Sequence, residues 1–286
     1  MTTLFTSPDN TLWRVFLTIF ALIIAAGSSS AQPVPASWQI QDPRVSLHEP
    51  VILRLSVENL GTDLAQLDLG ANFTQGLLVT IITPEGRVIP IPPIEPNGLS
   101  RIGRVRIHPG DRYVHDFVMD QWYAFDSPGR YGIRVGLRYP ITSAGLNFPI
   151  PESIQTVAVE PRDEAALRRR AEALLTQAFR ADNTKNANLI PDADEAMLAM
   201  RYLRDPVAIP YLIQALASPV LAVQGGAVTG LSRFPEPQAV NALIGYTKGT
   251  GSYIEYARGE LTRMAARTQD PGLRRQIQAA LSEPQR

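Results

Sequence analysis

The sequence predicts a two-part chain, an antiparallel β-sandwich followed by a stack of helical hairpins, and three observations carry that prediction. From about Trp38 to Glu160 apolar residues alternate with polar ones, the period-two pattern of half-buried strands. Further on, RDPVAIPYLIQAL (Arg204 to Leu216) returns in degraded form as FPEPQAVNALIGY from Phe234 and TQDPGLRRQIQAAL from Thr268. Aligned on their acid-proline pairs, these copies place Pro206, Pro237 and Pro271 in register, 31 and 34 residues apart, and such periods belong to stacked helical hairpins. Between the two regions stands Pro161, after which the rhythm changes from two to three-and-four.

Composition sets the bounds. At 286 residues and 45% hydrophobic content the chain builds two domains with real cores. A formal net charge of zero gives no global attraction to nucleic acid or to an anionic membrane. Cysteine is absent, which excludes disulfides, thiolate metal sites and thiol nucleophiles but leaves the redox compartment open.

The chain opens with a polar stretch carrying Arg14, then VFLTIFALIIAAG (Val15 to Gly27) and SSSAQP, with small residues at Ser29 and Ala31. That is the layout of a secretory signal peptide over residues 1–31, cleaved near Ala31 to leave a mature chain from Gln32. An uncleaved anchor or a chance apolar segment are the alternatives, but the apolar run falls short of the roughly 20 residues a spanning helix needs. The expected compartment is therefore periplasmic or extracellular, without stable membrane insertion after cleavage.

Within residues 32–160, Val51, Leu53, Leu55 and Val57 alternate with Arg54, Ser56 and Glu58. Val105 and Ile107 alternate with Arg104 and Arg106, and Tyr131, Ile133, Val135, Leu137 and Tyr139 with Arg134 and Arg138. Turn chemistry separates them at Pro84-Glu85-Gly86, Pro109-Gly110-Asp111 and Pro128-Gly129-Arg130. In the last two, proline presets the first turn position and glycine accepts a positive φ at the second. Residues 152–160 supply the closing strand.

Residues 161–286 are predicted helical. Leu167, Ala171, Leu174, Leu175, Ala178 and Phe179 form one stripe of a helix over 162–181, whose Arg168, Arg169 and Arg170 face partly outward as a solvated surface. A loop follows over 181–195. In each repeat an acid (Asp205, Glu236, Asp270) precedes proline, a helix start in which the carboxylate accepts a backbone hydrogen bond and proline costs no needed N–H. Leu212, Leu243 and Ile277 follow six residues after each proline, and Ala208 and Ala239 give room for a close neighbour. The preceding helices match too, with Ala196, Met197, Met200 and Leu203 answered by Ala227, Val228, Leu231 and Phe234. Pro210 removes a helical bond and delays its helix start. Gly225, Gly226 and Gly230 each weaken a helix by roughly 1 kcal/mol, which close packing or flexibility would explain.

The repeat pattern, Asp/Glu-Pro-x-Ala-Ile/Val-x-x-Leu behind an alanine-rich helix, resembles short bacterial HEAT repeats of the phycobilisome-lyase-like type from Asp192 to Ser282. The third copy departs from it, with Arg274 where the others have Ile209 and Val240, as a capping repeat would. The resemblance implies an α-solenoid used for protein binding and does not imply lyase activity. In the first half, Trp122 to Leu137 resembles the penultimate strand of immunoglobulin-like domains, where Tyr131 would be a tyrosine-corner residue tying down a loop. That half also resembles Ig-like modules of some proteinase inhibitors.

Motifs for chemistry are largely missing. There is no Gly-x-Ser-x-Gly elbow, Walker loop or His-Glu-x-x-His, and Lys248 to Ser252 (KGTGS) reads as an inter-helix loop because its lysine precedes its glycines. His48, His108 and His115 are isolated in sequence. Asp192, Asp194 and Glu195 crowd a helix start, as a helix dipole favours. Trp122, Tyr123 and Phe125 read as core aromatics rather than a sugar platform. The expectation is thus a non-enzymatic envelope scaffold with no cofactor, metal or nucleic-acid partner, binding another protein through the helical repeats at Tyr211, Gln214, Asn241 and Lys248. Two other readings stand beside it: the sandwich as proteinase inhibitor or carbohydrate-binding module, and an enzyme built on the three histidines.

Overall fold

The computed structural model describes residues 34–93, 102–180 and 190–283. The predicted signal peptide lies outside the described residues, and among these no helix is long and apolar enough to cross a membrane.

Alternation becomes strands as expected. They are β1 (Ala36–Ile40), β2 (Arg44–Ser46), β3 (Ile52–Glu58), β4 (Ala65–Ala71), β5 (Leu77–Ile82), β6 (Val88–Ile91), β7 (Ile102–Ile107), β8 (Arg112–Val118), β9 (Gly129–Leu137), β10 (Ile141–Ser143), β11 (Leu146–Phe148) and β12 (Ser153–Glu160). Among the described residues three sheets result, ordered β1-β3-β8, β11-β10-β4-β7 and β2-β12-β9-β5-β6. Pairing is antiparallel except that β2 runs parallel to β12, so the region is mixed rather than purely antiparallel. One core gathers Trp38, Leu53 and Phe117 from the first sheet, Leu67 and Ile141 from the second, and Ile81, Tyr131 and Val157 from the third. Tyr139, predicted on a strand, falls past the end of β9 and is exposed, because the apolar alternation outruns the β5–β9 ladder, which ends at Leu137.

The Pro128-Gly129 corner forms as its residues dictate. Gly129 has φ 150°, and a Cβ there would lie 2.4 Å from the ring of Pro84, so only glycine fits. Two residues on, the buried Tyr131 hydroxyl donates to the Ser127 carbonyl at 2.9 Å and ties the corner down.

The second region consists of α1 (Glu164–Arg180), α2 (Ile190–Tyr202), α3 (Ile209–Ala215), α4 (Leu221–Leu231), α5 (Pro237–Thr247), α6 (Ile254–Arg267) and α7 (Pro271–Ser282). Helix α2 begins inside the stretch expected to be loop, since Ile190 to Asp194 already continue its turns. Pairs α2/α3, α4/α5 and α6/α7 are the three hairpins. The first helices pack in a row, α1 on α2, α2 on α4 and α4 on α6; the second helices form the other row, α3 on α5 and α5 on α7. Leu212, Leu243 and Ile277 lie fully buried between the rows, each contributing about 2 kcal/mol of transfer free energy. Pro210 does delay its helix: Pro206–Ala208 is a 3-10 turn and regular helix starts at Ile209. The glycines of α4 are close-packed, since a Cβ on Gly226 would come within 2.8 Å of Met197 Cβ and one on Gly230 within 2.7 Å of Leu212 Cδ2.

The two regions share one interface. Ile52 and Val118 leave the β-core and join the helical cluster, and α2 lies along β8, covering an edge strand that would otherwise be open. Arg170, expected among solvated arginines, instead turns to the β-region and pairs with Asp42 at 3.3 Å and Glu49 at 3.8 Å. The period of 3.6 places it a quarter-turn from the α1 apolar stripe, next to the sheet.

Candidate interaction surface

The surface of the helical region is built from the hairpins upward. On α3, the helical period that buries Leu212 and Ala215 turns Gln214 into solvent and leaves Tyr211 half-buried against the helical core beside Arg168. On α5, burial of Val240 and Leu243 exposes Asn241, and Lys248 follows the helix end. All four predicted contact residues therefore belong to the row of second helices. Two of them also stitch that row together: Asn241 accepts from Gln276 of α7 at 2.5 Å, and Lys248 pairs with Glu283 at 2.8 Å. The Lys248 to Ser252 segment is the loop between α5 and α6, where the Tyr246 hydroxyl accepts from Tyr253 N–H.

The hairpin turns make a second edge. At the first turn Asp205 is buried, accepts from Val207 N–H at 3.1 Å, and takes two bonds from Arg162 at 2.6 and 3.1 Å. Burial alone would raise its carboxyl, but the bonds from Arg162 and Val207 outweigh that and hold it below the usual range. Asp270 at the third turn caps Gly272 and Leu273 N–H groups. The expected cap fails at the second turn: Glu236 makes no side-chain cap, and its buried Oε2 has no hydrogen-bond partner, because the extra methylene carries the carboxylate past the helix end.

Arginines line the same edge. Arg233 donates to the Arg201 carbonyl at 3.1 Å and lies 4.3 Å from the Tyr202 ring centroid, while Arg267 donates to the Ser232 carbonyl at 3.1 Å. Arg201 sits close enough to Arg233 that burial, and then this neighbouring cation, lower its pKa. A cleft of 310 Å³ opens between the first two turns and one of 280 Å³ between the second and third. These arginines were missed in the sequence, although their spacing of 32 and 34 residues tracks the repeat.

The remaining candidates take structural positions. His115 Nδ1 lies 2.8 Å from Glu195 Oε1 of α2 and its ring contacts Phe117 edge-on; His48 borders Asp205 and the first hairpin; His108 closes the exposed turn before β8. The histidines thus serve three separate neighbourhoods. Asp194 and Glu195 lie within α2, not before it. Among the described residues no group of three or more His, Asp or Glu side chains is arranged to hold a metal ion. Phe125 is buried, and Trp122 and Tyr123 pack against the β-core. At the interface Arg204 spans Asp126 at 2.5 Å and Asp120 at 3.5 Å; burial pushes the Asp120 carboxyl up to about 7, against the opposing hydrogen bond from Val51 N–H and the charge of Arg204.

Compared with known proteins, residues 193–218 match the family model of the PBS lyase HEAT-like repeat, which covers most of α2, the first turn and α3. No curated protein matches the chain. Among solved structures, a beta-glucosidase from Listeria innocua in complex with glucose is 12% identical over 45% of this chain and 16% of that one, with a TM-score of 0.27. The Pseudomonas fluorescens alkylpurine DNA glycosylase AlkC bound to DNA is 11% identical over 52% and 39%, with a TM-score of 0.23. The sporulation control protein Spo0M from Bacillus subtilis is 9% identical over 52% and 55%, also at 0.23. At such scores these likenesses carry no argument about function.

Proposed function

We propose that this chain is a non-enzymatic scaffold of the cell envelope: an Ig-like β-sandwich over residues 32–160 that carries a HEAT-type α-solenoid over 161–286, secreted by cleavage of residues 1–31, and binding a partner protein through its second helices. The observation that supports the reading is the row α3-α5-α7, whose first member lies in the matched HEAT-like repeat and which carries Tyr211, Gln214, Asn241 and Lys248. HEAT-like repeats commonly mediate protein–protein contact, and half-buried Tyr211 is the side chain of the four best suited to anchor one.

The test is affinity capture from envelope extract with the full chain and with a variant carrying Tyr211→Ala, Gln214→Ala, Asn241→Ala and Lys248→Ala. The reading expects one protein species to be retained by the wild type and its retention to fall about tenfold or more in the variant, at unchanged circular dichroism. Equal retention by both would overturn the site. Retention that follows a change in the β-region instead, on a protease or a polysaccharide, would make the sandwich the active module.

A further inference from the structure

The turn edge of the helical stack holds three arginines without an ion-pair partner among the described residues. Arg201 in the last turn of α2, Arg233 just after α4 and Arg267 at the end of α6 recur once per repeat. Among the described residues none of the three makes an ion pair; Arg204 is taken by Asp120 and Asp126, and Glu260 by Arg263. Their donors are mostly unspent. Arg233 and Arg267 each give one bond to a backbone carbonyl, and Arg201 Nε is buried with no hydrogen-bond partner, where a guanidinium offers five N–H groups.

The two clefts are one groove, because Arg233 and Pro235 line both. Its walls are guanidinium groups, while Phe234 and Pro235 in the first cleft and Met264 and Leu273 in the second supply apolar floor. We propose that this groove binds an acidic, proline-rich segment of a partner protein in the extended polyproline conformation, one carboxylate per cleft and proline rings on the apolar floor. The site lies at the helix ends, apart from the second-helix face, so it stands or falls independently of that surface.

Spacing selects this occupant. Helices packed side by side, as α2, α4 and α6 are, lie about 8–10 Å apart. A polyproline II segment returns the same face every three residues, a rise of about 9 Å, so carboxylates at every third position meet successive arginines. Charge selects it too. Glu236 also lines the first cleft, and its carboxylate repels a dense run of anions there. Duplex nucleic acid, with a charge every 1.7 Å or so of its axis, is far denser than one arginine per repeat.

The probe is a fluorescein-labelled peptide of four Glu-Pro-Pro units, read by fluorescence anisotropy on the full chain, beside a Gln-Pro-Pro counterpart and a single-stranded oligonucleotide. The expected result is binding of the Glu peptide about tenfold tighter than the Gln peptide, weakening with salt, and loss of that preference in Arg233→Gln. Arg233 is exposed, so the variant folds, which thermal melting checks; Arg267→Gln should lose part of the preference, and the four-residue second-helix variant none. Equal affinity for the Glu and Gln peptides, tighter binding of the oligonucleotide, or a preference that survives Arg233→Gln would each overturn the proposal.

Discussion

The first and second hairpin turns start from the same acid-proline formula and end in opposite roles. In the first, Asp205 is sealed in, caps its helix and holds Arg162 of the inter-domain segment, while its neighbour Arg204 reaches Asp120 and Asp126 of the β-region. In the second, Glu236 reaches nothing and lines an open cleft beside Arg233. One position in a repeat thus ties the helical region to the segment after β12 in one copy and lines an open cleft in the next. Burial makes the difference: the first hairpin packs against β8 and the chain after Glu160, and the second has only its neighbours in the stack.

The comparison breaks most visibly at Asp205. Asp205→Ala removes a helix cap and one of the two carboxylates that Arg162 pairs with, and loss of the cap alone should cost about 1–2 kcal/mol in chemical denaturation, with both regions losing cooperativity together. A loss confined to the helical region would show that the turn does not tie the two regions. The Asp120 carboxyl comes next. Because its folded pKa is raised, the folded protein holds that proton more tightly than the unfolded chain, so its contribution is full below about pH 4 and is lost as pH rises to about 7. Relative to Asp120→Asn, wild type should lose about 3 kcal/mol between pH 4 and pH 7.5; parallel stability profiles would refute the assignment. Asp205 has the opposite sign, its stabilisation being lost on acidification, so the two must be measured as differences between variants.

Smaller changes sharpen the contrast. Gly226→Ala gains helix propensity but drives a Cβ into Met197, and should destabilise by about 1–2 kcal/mol, whereas Gly245→Ala on the open side of α5 should stabilise by about 0.5–1 kcal/mol. At the second turn, Glu236→Asp shortens the side chain to capping length and should add about 0.5–1 kcal/mol to the thermal stability, where Asp270→Ala at the third turn should remove about the same.

Much of this architecture is written in local patterns. Alternation marks β3 and β9, the Pro-Gly pair marks the Gly129 corner, and the proline register finds all three hairpins, because each signal is a short-range consequence of backbone geometry. What escapes is whatever depends on which element meets which. Arg170 reads as solvated until a sheet is placed beside α1, and His115 reads as isolated until α2 brings Glu195 to it. The same holds for the surface: exposure of Gln214 and Asn241 follows from helical period, but the bond from Gln276 to Asn241 needs α7 in place.

The helical stack, joined to the β-region at its first hairpin, is the surface proposed to meet a partner. The most direct test is site-specific photo-crosslinking in intact envelopes, with a photoreactive side chain placed in turn at Gln214, at Asn241 and at Ile154, which is exposed on β12 of the β-region. Crosslinks to one partner protein from Gln214 and Asn241 and none from Ile154 are the predicted result. Crosslinks from Ile154 alone, or the same yield from all three positions, would contradict it.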